Sequence, residues 1–189
     1  IVADGCVSIT SKTNPRPNRL TVNISHKDRE VLEFIKKELE CDYEIRDYIP
    51  EATFSRNMMS TISINSIKLC DDLAKLGVTA NKTGHEILPD LPNEILRHCI
   101  RGFLDGDGYT TYHSGGVTLG FSSSSQQILE QIIKVFSNIG VETEPNIAPD
   151  SRGKNAFDLK YHKKEDIEKI KKYLYAGSTF YLERKYKKL

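Results

Sequence analysis

The apolar and polar positions of this chain switch repeatedly between a period of two and a helical period. Residues 6–11 and 20–25 alternate apolar with polar side chains, and the Asn14-Pro15-Arg16-Pro17-Asn18 stretch between them is rich in turn formers, which predicts a hairpin. Asp28 then stands where a cap is needed for a helix to about Leu39, with Val31, Leu32, Phe34, Ile35 and Leu39 on its buried side. Residues 43–49 and 58–64 read as a second hairpin, and residues 67–76 as a helix stopped by Gly77.

The order repeats after the linker Leu88-Pro89-Asp90-Leu91-Pro92. Asn93 caps a helix through Leu104, with Ile95, Leu96, Cys99, Ile100, Phe103 and Leu104 at helical spacing. A hairpin (109–113 and 117–123) turns at Ser114-Gly115-Gly116. A helix over 125–139, strands over 141–148 and 156–161, a helix over 164–174 and a tail helix over 181–188 complete the pattern.

Each half begins with an Asp-Gly pair at the end of an apolar helical run: Ile1-Val2-Ala3-Asp4-Gly5 and Gly102-Phe103-Leu104-Asp105-Gly106-Asp107-Gly108. A carboxylate at a helix C-terminus faces the negative end of the macrodipole, where Lys, Arg or His is favoured. If the two helix ends lie side by side, the carboxylates repel each other and a bound divalent cation is the compensation. Gly102 and Gly106 lie four apart on one helix face, a spacing that would let a partner helix approach closely.

The string from Ile100 to Gly108 resembles the motif that names the LAGLIDADG homing endonucleases, and the string at Asp4 matches the end of that motif. The resemblance extends over essentially the whole chain, including the connector 76–84 and the tail 180–186. It implies an α+β fold of two pseudo-symmetric αββαββα repeats, residues 1–88 and 89–189. These would form a saddle-shaped antiparallel sheet, with the two motif helices packed at the repeat interface and the start of the first missing. It further implies a monomer that makes a metal-dependent double-strand break in a long DNA target. In that reading Asp4 and Asp107, with Ala3 and Gly106 beside them, hold Mg2+; Mn2+ substitutes, and Ca2+ binds without supporting cleavage. Lys82 and Lys185 follow the last helix of each half and are the candidates for assisting proton transfer. His26 and Ser123, closing the second strand of each half, are candidates to orient water. Asp105 is read as structural, since its counterpart is Val2.

The composition narrows the alternatives. The chain has 189 residues, 38% of them apolar, enough to bury a core. No stretch is long and apolar enough to span a bilayer and no leader is visible, which points to the cytoplasm or nucleoid, or to an organelle or nucleus in a eukaryote. Cys6, Cys41, Cys70 and Cys99 form no Cys-x-x-Cys pair, and the five histidines lack ligand spacing. Buried reduced thiols are therefore expected, rather than zinc or redox chemistry.

The net charge of +1 is uninformative, but its distribution is not. Residues 5–27 carry Lys12, Arg16, Arg19 and Lys27 and no acid, whereas residues 28–51 carry nine acids. Solvent-facing strand positions of the first half, Ser8, Thr10, Lys12, Arg16, Arg19, Thr21, Asn23 and Arg46, are the candidates for DNA contact. In the second half, residues 109–129 hold no charged side chain, so Thr111, His113, Thr118 and Ser123 are the candidates there. An intron-encoded, intein-derived or free-standing nuclease is the leading reading. A non-cleaving binder on the same scaffold, an RNA maturase or a transcription regulator, is its rival. Two mutually repelling acids favour the nuclease.

Overall fold

A computed structural model of the chain describes residues 1–10, 13, 15–51, 57–150 and 155–189. The chain divides into two compact units, Ile1 with residues 3–81 and Val2 with residues 82–189. Both are α+β, each with a four-stranded antiparallel sheet and helices on one face.

In the first unit, β1 (Gly5–Ser8), β2 (Arg19–Ser25), β3 (Ile45–Tyr48) and β4 (Met59–Asn65) lie in the order β1-β2-β4-β3. The register sets Leu20 opposite Ile64 and Val22 opposite Ile62, so one face is aliphatic. Helices α1 (Glu30–Glu38) and α2 (Ile67–Lys75) cover that face and bury Leu20, Val22, Ile24, Ile62 and Ile64 with Leu32, Cys70 and Leu73. The strand period of two turns Cys6, Ser8, Arg19, Thr21, Asn23, Thr61 and Ser63 to the other face. Ser66 caps α2, its Oγ accepting the Leu69 amide at 3.1 Å. Asp28 does not cap α1 as expected. It lies buried in a short 3-10 turn, His26–Asp28, and α1 begins two residues later.

In the second unit, helix α3 (Asn93–Asp107) leads into β5 (Gly108–His113), β6 (Gly116–Ser123), α4 (Gln126–Asn138), β7 (Ile147–Pro149), β8 (Phe157–Tyr161) and α5 (Lys164–Tyr175). The strand order is β5-β6-β8-β7. Phe103 of α3, Phe121 of β6, Phe136 of α4 and Tyr161 of β8 stack in sequence, with centroids 6.4, 5.8 and 5.7 Å apart. All four are essentially fully buried and tie two helices to the sheet. The connector goes with this unit: Ser125 Oγ donates to the Glu86 carbonyl at 2.7 Å, and the Leu88 amide donates to Gln131 at 2.8 Å.

Several local expectations change. Pro92, not Asn93, precedes the first turn of α3, and the helix runs three residues past Leu104 to end on Asp107 itself. The strand expected over 141–148 shrinks to Ile147–Pro149, because the Glu142 and Thr143 amides donate to the Asp166 carboxylate, each at 3.1 Å, and are lost to the ladder. The tail helix shortens to α6 (Glu183–Tyr186). The cysteines are free thiols, but only Cys70 is buried; Cys6 is exposed and Cys41 and Cys99 are half-buried. Gly102 is exposed, and a Cβ built there meets nothing within 4 Å.

Candidate functional site

Both Asp-Gly pairs close their helical turn in the same way. The Gly5 amide donates to the Ile1 carbonyl at 2.8 Å, and the Gly108 amide donates to the Leu104 carbonyl. Added to either glycine, a Cβ would lie 2.5 Å from that same carbonyl oxygen. Neither glycine has a positive φ. Glycine is needed here because the chain turns from helix into strand tightly against the residue four positions back. Asp4 and Asp107, immediately before, are both exposed.

The last turn of α3 contains no basic residue, so the carbonyls ending it have no cation of their own. The tail supplies one. Lys185 of α6 is 7% exposed and its ammonium donates to the carbonyls of Leu104 (2.8 Å), Asp105 (2.5 Å), Gly106 (3.2 Å) and Gly108 (2.8 Å). Tyr175, Tyr181 and Tyr186 hold the tail in place with ring centroids 4.9–5.3 Å apart, and Lys171 Nζ stands 4.2 Å over the Tyr186 ring. Asp105 points inward: its Oδ2 accepts the Leu182 amide at 3.3 Å, and burial raises its pKa against the pull of that bond, Lys185 and Arg101.

Lys82 mirrors this arrangement. Its ammonium donates to the Val2 carbonyl at 2.6 Å, and Glu86 lies 4.0 Å away, held by the Gly84 amide at 2.9 Å. Asp4 and Asp107 are 103 positions apart (107 minus 4), as are Lys82 and Lys185 (185 minus 82) and Val2 and Asp105. Each half thus couples its lysine to the equivalent carbonyl. Lys82 has Glu86 4.0 Å away, and Lys185 donates to four carbonyls.

The polar sheet faces gather most of the expected contact residues. Ser8, Arg19, Thr21, Asn23 and Arg46 share the open face of the first sheet, where Arg19 Nε donates to Asn65 at 2.8 Å and Thr21 meets Ser63 at 3.2 Å. Thr10 holds the adjoining loop through Asn18, its amide donating at 2.9 Å. Arg16 pairs with Asp71 of α2 at 2.8 Å. Lys12 lies outside the described residues. His26 contacts Ser60 at 3.0 Å and Asp47 at 3.2 Å. The Ser60 hydrogen bond, then His26 and Arg29, hold the Asp47 carboxyl below its ordinary range.

In the second sheet, Thr111, His113 and Thr118 share the polar face. Ser123 does not: it faces the covered side, 9% exposed, and its Oγ accepts the Ser125 amide at 3.0 Å. The same polar face carries Ser122 of the second hairpin, and Tyr109, Lys160 and His162, which sequence reasoning passed over. The signal was present in the alternation of β8, but the pairing of Gly120 with Lys160 that sets it beside β6 is tertiary. The Tyr109 ring lies over Gly120, where a Cβ would come within 2.2 Å of it.

Each of the two four-stranded sheets is entered through an Asp-Gly pair that closes a helical turn. Residues 94–175 match the family described as LAGLIDADG-like domain. The solved structure of the homing endonuclease I-WcaI bound to its DNA recognition sequence shares the fold at a TM-score of 0.64 and 12% identity, over 100% of this chain and 81% of that one. I-DmoI in complex with DNA and Mn gives 0.59 and 15%, over 94% and 93%. The N-terminal LAGLIDADG domain of DUF199/WhiA gives 0.59 and 14%, over 97% and 80%. No curated protein matches the sequence. Among the described residues no helix is long and apolar enough to cross a membrane.

Proposed function

We propose that the chain is a site-specific DNA endonuclease that makes a double-strand break, each unit supplying one carboxylate, Asp4 or Asp107, for one strand. The observation that carries this reading is the duplicated helix end: an exposed aspartate, a glycine no other residue can replace without a clash, and a lysine on the equivalent carbonyl. A domain that only binds DNA has no use for two such carboxylates.

The donor set at each end is oxygen only, a carboxylate with the Ala3 or Gly106 carbonyl nearby, which suits a hard divalent cation such as Mg2+. When bound, such a cation activates water and stabilises the leaving oxygen. The chain's own part is positional. Lys185 and Lys82 hold the carbonyls beneath the aspartates, and Ser8, Arg19, Thr21, Asn23, Arg46, Thr111 and His113 present donors and acceptors to the groove. I-DmoI solved with DNA and Mn and I-WcaI solved on its recognition sequence support DNA as the partner.

The test is cleavage of a randomised plasmid library in Mg2+, Mn2+ or Ca2+. Linear products in Mg2+ and Mn2+ but not in Ca2+, all cut at one sequence, are expected. Enrichment of a bound sequence with no cut in any metal would replace the nuclease with a non-cleaving binder.

A further inference from the structure

The loop that carries Lys82 is built around one carboxylate. Asn81 and Gly84 both stand at positive φ, 59° and 82°, and the His85 amide donates to the Lys82 carbonyl at 2.7 Å, so the chain reverses tightly and returns Glu86 towards Lys82. Glu86 is then fixed at both ends. Its Oε2 accepts the Gly84 amide at 2.9 Å, and its carbonyl accepts Ser125 Oγ at 2.7 Å, the same hydroxyl that accepts the Ile128 amide at 3.4 Å to cap α4. The other carboxylate oxygen, Oε1, lies 4.0 Å from Lys82 Nζ, and the Lys82 and Glu86 side chains are only 11% and 9% exposed. A carboxylate so placed offsets the cost of burying the ammonium, which donates to the Val2 carbonyl at 2.6 Å.

From this geometry we infer that Glu86 is a positioning residue for one of the two strand cuts. It keeps the Lys82 ammonium on the carbonyl of Val2, two positions before Asp4. The inference rests on the nuclease reading given above. The carbonyls that accept from Lys185 belong to Leu104, Asp105, Gly106 and Gly108, and none of the groups that fix Glu86 is among them. Removing the Glu86 charge therefore acts on the cut assigned to Asp4 and spares the cut assigned to Asp107. A long lysine side chain with no buried counter-charge carries its ammonium out towards water, and the Val2 carbonyl loses its donor. The protein then nicks instead of cutting both strands.

Glu86→Gln isolates the charge, because the amide oxygen of Gln still accepts the Gly84 amide. The substrate is the sequence cut in the plasmid library, labelled on each strand in turn, and single-turnover rates of both strands are measured at saturating protein for the wild type, Glu86→Gln and Lys82→Met. Glu86→Gln is expected to slow one strand by about tenfold to a hundredfold, the scale of a displaced group in an active site. Nicked duplex should accumulate, with DNA affinity and the rate of the other strand unchanged, and the slowed strand should be the one that Lys82→Met slows. In the metal-free wild type, nitrogen–proton NMR should show a slowly exchanging Lys82 ammonium in through-space contact with the Glu86 side chain, and Glu86→Gln should lose that signal. Equal rates of loss on both strands, no loss on either, slowing of the strand that Lys82→Met spares, a wild-type ammonium without contact to Glu86, or an ammonium signal unchanged in Glu86→Gln would overturn this inference alone. A wild type that cuts no sequence would overturn it together with the nuclease reading.

Discussion

Lys185 donates through its ammonium to the Asp105 carbonyl at 2.5 Å, joining a four-residue tail helix to the end of the helix that carries Asp107. This contact resolves the oddity of an aspartate at a helix C-terminus: the cation that the last turn lacks arrives from 78 positions further along the chain (185 minus 107).

Removing that ammonium should cost stability. Lys185→Met strands four carbonyls in a buried site and is expected to destabilise the fold by about 3 kcal/mol, a fall in melting temperature of roughly 6 to 12 °C. Lys82→Met should cost less, and Glu86→Gln should recover part of its loss, because that change removes the acid left behind. Thermal melts of the three variants check this, and equal losses for the two lysines would show that the extra carbonyls contribute nothing.

Glycine substitutions in α3 and just after it should have opposite signs. Gly108→Ala drives a Cβ to within 2.5 Å of the Leu104 carbonyl and should cost about 1 to 3 kcal/mol. Gly102→Ala has open space around it and should stabilise by up to about 1 kcal/mol through helix propensity. Urea titrations of both variants settle it; a destabilised Gly102→Ala would mean that the face needs glycine after all.

Acid sensitivity should trace partly to Asp166. Burial works to raise its pKa, but the Thr143 hydroxyl and the Glu142 and Thr143 amides outweigh burial and bring it below the ordinary value. A depressed folded-state pKa gives stabilisation that is complete above the unfolded value of about 4 and is lost as pH falls through the folded one. Asp166→Asn should therefore lower the melting temperature at pH 7 and flatten its decline between pH 5 and 3. A parallel decline in both proteins would remove Asp166 as the cause.

Asp4→Asn and Asp107→Asn should each abolish double-strand cleavage while retaining fold and DNA affinity, because each change removes one carboxylate from an exposed position. Cleavage gels run beside gel-shift binding make the comparison. Full double-strand cutting by either variant would end the proposal.

Much of the molecule was legible in the sequence because period and turn chemistry are local properties. The alternation through Leu20, Val22 and Ile24 fixed a half-covered strand, and the Asp-Gly repetition marked the entry to both sheets. Residues 141–146 lost their strand because Asp166 of α5 took the Glu142 and Thr143 amides. Ser123 fell on the covered face because register, not composition, decides which side of a sheet a residue takes. His162 escaped notice for the same reason: Thr118 comes beside it only once β6 and β8 pair. The sequence by itself determined the elements, the repeat and the two acidic ends, all set by interactions within a few residues. Only the tertiary structure decided which lysine caps which carbonyl and which hydroxyl meets which ring, because hydrogen bonds act over about 3 Å and their partners are separated by scores of residues.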